Sequence, residues 1–155
     1  MLNPFAFTRG YARLSNIFAA PLFAWLPVPR GYILLTTRGR KSGRERRRPV
    51  RAVRSNSTYY AVAILGERSD WLRNVRRDPG VEIKAGSRRE SARARALADP
   101  AEREAVSTLY VDTVFPYDYL DHVNLHWGWP SRRKVVQAHR VWLARGELVA
   151  FDIAT

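Results

Sequence analysis

The sequence predicts a mainly β domain of the α+β class, with short antiparallel strands forming a barrel or sandwich and short helices packed outside. Three observations carry this expectation. Apolar, β-branched or aromatic runs recur at 32–37, 49–54, 59–65, 81–85, 91–96, 137–143 and 148–153. Turn-forming residues stand between several of them, among them Ser55-Asn56-Ser57, Gly86 and Arg145-Gly146. Helical spacing is confined to a few segments that do not alternate with the strands as a doubly wound sheet requires.

The 155 residues suffice for one folded domain, and an apolar fraction of 46 % with five Trp argues against disorder. The division expected is an arm over 1–30 and a barrel domain over 31–155. Without Cys there is no disulfide, thiolate nucleophile or Cys-based metal site. The formal charge of +13 favours anionic partners: a phosphorylated cofactor, an acidic lipid surface or nucleic acid. Yet of the 27 basic residues only Lys41, Lys84 and Lys134 are lysine, a bias that a GC-rich genome produces without selection for binding. Nucleic acid would rest on charge alone and is not expected.

In the arm, Thr8 caps a helix carrying Tyr11, Leu14, Ile17 and Phe18 on one face, which Pro21 ends or kinks. The longest uncharged run, 17–29, holds three prolines and falls short of the roughly 20 residues of a spanning helix. Arg9 and Arg13 precede it, but no small-x-small cleavage site follows. The location expected is therefore cytoplasmic, with the arm lying on the domain, on a second subunit or on the inner face of an anionic membrane. Residues 69–75 read as a helix capped by Ser69 and closed by Asp78-Pro79-Gly80, and 100–110 as a helix capped by Asp99. The aromatic stretch 111–131 reads as irregular, and 137–143 with 148–153 as a last hairpin.

The segment Leu35-Thr36-Thr37-Arg38-Gly39-Arg40-Lys41-Ser42-Gly43, with Arg44, Arg46, Arg47 and Arg48 following, is the most informative. It lacks the glycine and Gly-Lys-Ser/Thr order of a P-loop, and a strand follows where a P-loop needs a helix. Ser42 has no nucleophile elbow and no His partner. What remains is an anion cradle: two glycines let the backbone approach, Ser42 donates a neutral hydrogen bond, and Arg40, Lys41 and Arg46 supply charge. A solvated basic hairpin is the plainer alternative.

These residues resemble the deazaflavin (coenzyme F420)-dependent nitroreductase and quinone reductase family. The resemblance runs over roughly 32–105 through the cradle, Pro49-Val50, the run 60–63, Asp70-Trp71, Asn74, Asp78-Pro79 and Glu102-Arg103-Glu104. It implies a split β-barrel of about six antiparallel strands with an N-terminal helix. It also implies hydride transfer from F420H2 to a hydrophobic acceptor such as a quinone, nitroaromatic or enone. The coenzyme's phosphodiester and glutamate carboxylates would meet Arg40, Lys41, Ser42, Gly43, Arg46, Arg48, Pro49 and Val50. Its ring would lie near Ala63, Ile64, Leu65, Asp70, Trp71 and Asn74. No catalytic acid or base is required, because the cofactor carries the reactive hydride. The chain departs from the family at 64–68, where Ile64-Leu65 replaces a polar Gly-rich stretch, and at Arg51, where an aromatic is expected. Relatives on this barrel bind FMN, or carry a fatty acid or pigment without catalysis, so both stay as alternatives.

Arg51, Tyr110, Phe115, Tyr117 and Tyr119 are expected to line the acceptor pocket, since flat apolar molecules stack on aromatics. Asp118, Asp121, His122 and His126 fall at helical spacing, but sit among Leu120, Val123 and Trp127 like a packed segment, so no metal is expected. His139 shows no partner in sequence, Arg132-Arg133-Lys134 reads as solvated surface, and the protein is expected to be a monomer or homodimer.

Overall fold

Strands β1 (Tyr32–Arg38), β2 (Glu45–Ser55), β3 (Thr58–Ala63), β4 (Gly80–Ala85), β5 (Arg88–Ala96) and β6 (Glu147–Ile153) build the centre of the molecule. In the computed structural model they close into an antiparallel barrel ordered β1-β2-β3-β6-β5-β4. The structure describes residues 9–126 and 129–155. Five helices surround the barrel: α1 (Arg9–Trp25), α2 (Asp70–Arg77), α3 (Pro100–Asp112), α4 (Pro116–His126) and α5 (Arg132–Arg145).

Two tight turns set the register. Ser55 pairs with Thr58 across Asn56-Ser57, where Asn56 adopts φ +54°, and Ala85 pairs with Arg88 across Gly86-Ser87, where Gly86 adopts φ +57°. Such turns match the right-handed twist of the flanking strands. Alternation then sends Ile33, Leu35, Val50, Ala52, Ala61, Ile83, Val149 and Phe151 into the barrel, where α2 closes the core with Trp71, Leu72 and Val75. The outer faces of β2, β3 and β6 are covered by α3 and α5 through Val106, Tyr110 and Val136. Helix α1 lies on Leu34 of β1 through Ala20 and Phe23.

Several elements differ from expectation. Strand β2 begins at Glu45, so Arg46, Arg47 and Arg48 stand on a strand and not in the loop. Strand β3 ends at Ala63, leaving Ile64 and Leu65 to lead into a single 3-10 turn. Residues 137–143 are not a strand but part of α5, whose buried Val135, Val136, Ala138, His139 and Trp142 follow the helical period. Ser131 caps that helix by accepting from the Lys134 amide. The stretch 111–131 contains α4 instead of being irregular. Helix α1 continues through Pro21 to Trp25, with Ile17 and Phe18 exposed. The expected Thr8 cap and Trp127 lie outside the described residues. Among the described residues no helix is long and apolar enough to cross a membrane.

Candidate functional site

The loop between β1 and β2 is tied at its base and open at its tip. Gly39 N–H donates to the Arg44 carbonyl at 2.8 Å, Gly43 N–H to the Gly39 carbonyl at 2.8 Å, and Arg44 N–H to Ser42 Oγ at 3.3 Å. Gly43 sits at φ +68°, a conformation that favours glycine. A Cβ on Gly39 would fall 2.8 Å from Ser42 Oγ and 3.2 Å from the Arg44 carbonyl, so the loop packs on itself there.

Helix α2 fixes this loop to the barrel. Asp70 and Asn74 are four residues apart and share one helix face. Asn74, 4 % exposed, donates from Nδ2 to Thr37 Oγ1 at 3.1 Å. Its Oδ1 accepts from the Arg40 amide at 3.2 Å and from Arg40 Nη1 at 3.3 Å. Asp70 Oδ1 meets Arg40 Nη2 at 3.4 Å. One amide side chain thus joins strand, loop and helix, and holds one edge of the Arg40 guanidinium.

Between these elements lies a cleft of about 440 Å³, lined by Ile17, Thr37, Gly39, Arg40, Lys41, Ser42, Arg46, Arg47, Arg48, Asp70, Trp71 and Asn74. Five cations face one carboxylate there, in a volume that suits a small ligand. The register explains the gathering. Thr37 pairs with Arg46 and Leu35 with Arg48, so both arginines share the inward face of the barrel wall with Thr37, beside α2. Burial holds the Arg48 guanidinium below the usual arginine range, with Asp70 opposing the shift. A desolvated cation beside further cations is a receptor for an anion. Trp71, 6 % exposed, packs toward Phe151 with ring centroids 6.0 Å apart, so it is both core and cleft wall.

Of the residues expected to hold a cofactor, Arg40, Lys41, Ser42, Arg46, Arg48, Asp70, Trp71 and Asn74 meet in this cleft. The others lie apart from its lining: Gly43 at the exposed loop tip, Val50 and Ala63 in the barrel core, Pro49 on the outward parity of β2, Ile64 and Leu65 beyond β3. The five expected acceptor residues also stand outside the lining. Arg51 is 5 % exposed, with Nε 3.0 Å from Asp118 Oδ1 and its guanidinium 4.5 Å from the Tyr110 ring centroid. Tyr110 is fully buried and Phe115 packs beside it. Tyr117 packs edge-on against Tyr32 and Phe23, with centroids 4.8 and 6.2 Å apart. Tyr119 is half-buried on α4. Arg51, Tyr110, Phe115 and Tyr117 are engaged in packing, because β2, crossing under α3 and α4, turns Arg51 to its outer face.

Thr37, Arg47 and Ile17 were missed. Strict alternation from Ile33 and Leu35 would have turned Thr37 inward, whereas nothing local in the sequence places Ile17. Among the described residues no group of three His, Cys, Asp or Glu is placed to hold a metal. Asp118 is taken up by Arg51, and Asp121 Oδ2 accepts from the Tyr32 hydroxyl at 2.9 Å. His139, 1 % exposed, bonds the Val111 carbonyl through Nδ1 at 3.0 Å. Since a carbonyl only accepts, Nδ1 carries the proton. Arg132, Arg133 and Lys134 are exposed, as expected.

A protein-family model described as F420H(2)-dependent quinone reductase matches residues 21–123. No curated protein matches the sequence. Among solved structures, an F420-H2 dependent reductase (FDR-A) is 24 % identical, with a TM-score of 0.55, covering 83 % of this chain and 97 % of its own. A structure described as a domain-swapped dimer is 20 % identical, with a TM-score of 0.56 and 94 % of each chain covered. At these identities the likeness establishes the split-barrel fold.

Proposed function

The chain belongs to the F420H2-dependent quinone reductase family, and from that premise we propose that the basic cleft beside α2 is where it holds the coenzyme. The protein is an F420-dependent oxidoreductase, and its acceptor is hydrophobic. The observation that carries the reading is the meeting of Arg40, Lys41, Arg46, Arg48 and Trp71 around one cleft.

The residues present fit the group. Its handle carries a phosphodiester and carboxylates, and the cleft offers guanidinium forks, an ammonium and the Ser42 hydroxyl. Arg40 is presented in a fixed orientation by Asn74 and Asp70, so less side-chain freedom is lost on binding. When bound, reduced F420 supplies the hydride. The protein's part is to bind the anionic handle with the loop cations, to offer the apolar Trp71 and Ile17 surfaces at the cleft, and to exclude water there. Three charge-assisted bonds at roughly 1.5–3 kcal/mol each, together with the Trp71 face, support micromolar affinity.

Oxidised F420, FMN and a fatty acid titrated separately, with tryptophan fluorescence as the signal, test this. F420 is expected to bind at micromolar concentration, and an Arg40→Ala, Lys41→Ala double variant to weaken it at least about 100-fold. Saturable fatty-acid binding without F420 binding would replace the enzyme by a carrier.

Contact with an anionic membrane is a further part of this reading. Helix α1 exposes Ile17, Phe18, Leu22 and Trp25, and Leu26 just after it, on a chain of net charge +13. Co-sedimentation with phosphatidylglycerol vesicles, and its loss in a Phe18→Ser, Trp25→Ser variant, is the expected result. Recovery of the wild type in the supernatant would remove the membrane from the reading.

A further inference from the structure

Lys84 stands on the outer face of β4, opposite Leu34 of β1, and is only 6 % exposed. Its ammonium donates to the carbonyls of Phe23 at 2.8 Å, Ala24 at 3.1 Å and Leu26 at 2.9 Å. Three carbonyls take up all three of its hydrogens. They belong to the end of α1 and the residue after it, where the helix leaves carbonyls without intrahelical partners and its dipole is negative. The same hairpin adds a bond from Arg89 Nη2 to the Ala24 carbonyl at 3.3 Å, and the Gly86 carbonyl accepts from Val28 N–H at 3.0 Å. The end of α1 is thereby gripped by β4 and β5.

The helix also lies against β1 and β2. Pro21 has no amide to donate to the Ile17 carbonyl. Ile17, Phe18 and Leu22 face outward, while Ala20 and Phe23 pack inward on Leu34 with Ala19, Ala24, Tyr32 and Tyr117 beside them. Ile17 nevertheless forms part of the cleft wall. Six residues, about 9 Å of helix, separate it from the Phe23 carbonyl.

We propose that Lys84 is a positioning residue for the reaction: by fixing the end of α1 it holds Ile17 as the apolar wall against which the acceptor rests. This rests on the reading of the cleft given above. Lys84 touches neither coenzyme nor acceptor, and acts through the helix.

The test is steady-state reduction of a soluble naphthoquinone by F420H2 in the wild type, Lys84→Met, the milder Lys84→Gln and Ile17→Ser. F420 affinity and amide hydrogen exchange are followed alongside. Lys84→Met and Ile17→Ser are expected to raise the quinone KM about tenfold, with kcat and F420 affinity held within about twofold. Lys84→Gln, which keeps an amide donor, is expected to fall between. Exchange is expected to speed over 22–26 in the Lys84 variants while the barrel amides stay protected.

Unchanged KM in both Lys84 variants, or a loss spread equally over kcat, F420 affinity and barrel protection, would overturn the proposal. An unchanged KM in Ile17→Ser would overturn the wall while leaving the coenzyme site standing. If the wild type binds no F420, the functional reading fails first and this inference falls with it.

Discussion

Arg51 Nε lies 3.0 Å from Asp118 Oδ1, with the two side chains 3 % and 2 % exposed. The pair ties β2 to the junction of α3 and α4. Two further guanidinium donors go to the Tyr110 carbonyl at 3.0 Å and to the Thr113 carbonyl, while Asp118 Oδ2 accepts from the Phe115 amide at 2.7 Å. A buried ion pair is tolerable when its hydrogen-bonding groups are met in this way.

Removing one partner leaves the other charge buried without compensation. Arg51→Met and Asp118→Leu are each expected to lower stability by about 3–5 kcal/mol, and the double variant by clearly less than their sum. Urea unfolding midpoints measure this. If Arg51 instead bound the acceptor, Arg51→Met would raise its KM with little change in the midpoint.

Acidification should destabilise the protein through His139. Burial first, then the Arg51 charge, lowers its pKa to about 4, while the bond to the Val111 carbonyl pulls the other way. The unfolded chain takes up the proton near pH 6.5, before the folded one does. The stability from neutral His139 is therefore complete above about pH 6.5 and is lost as pH falls toward 4, to the extent of about 3 kcal/mol. His122, also lowered by burial, acts in the same direction. Unfolding free energies at pH 7.5 and 4.5 are expected to converge in His139→Leu; an unchanged slope would refute the assignment.

With the coenzyme in the proposed cleft, Asn74 would act on it through Arg40. Asn74→Ala removes the acceptor for two Arg40 donors and the donor to Thr37. F420 affinity is expected to fall about tenfold. Added to Arg40→Ala, the same change should produce little further loss, because the residue it orients is gone. A binding cycle by fluorescence titration reads this coupling directly.

Gly39→Ala tests the loop's closeness to itself. The new Cβ would push Ser42 Oγ off its bond to the Arg44 amide. F420 affinity is expected to drop about tenfold with a stability change within about 1 kcal/mol, because the exposed residues 41–44 can give way around the buried Gly39 and the barrel core is untouched. A wild-type affinity in this variant would show that loop geometry is not critical.

Much of this protein was legible in short windows of its sequence. Asn56 and Gly86 announce the two tight hairpins, because few residues accept positive φ. Asp99 before Pro100 marks the start of α3, and its side chain accepts from the Ala101 amide as such a cap should. The Gly-bracketed cations at 39–43 were recognisable as a basic loop, since both their freedom and their charge are local properties. Residues 137–143 misled because Ala138, His139, Val141 and Trp142 suit either period at that length. Packing of α5 under α3 and against β6 settles the choice.

Composition and local pattern by themselves determined the β class, the turns, the Asp99 cap and the basic loop, since backbone preference and side-chain charge belong to each residue wherever it lies. Only the tertiary structure decided that Arg51 meets Asp118, 67 residues onward, that Asn74 holds Arg40, and that Lys84 closes α1. A buried charge or amide must find its partners among whatever groups the closed barrel brings beside it, and barrel closure joins residues that no short window contains.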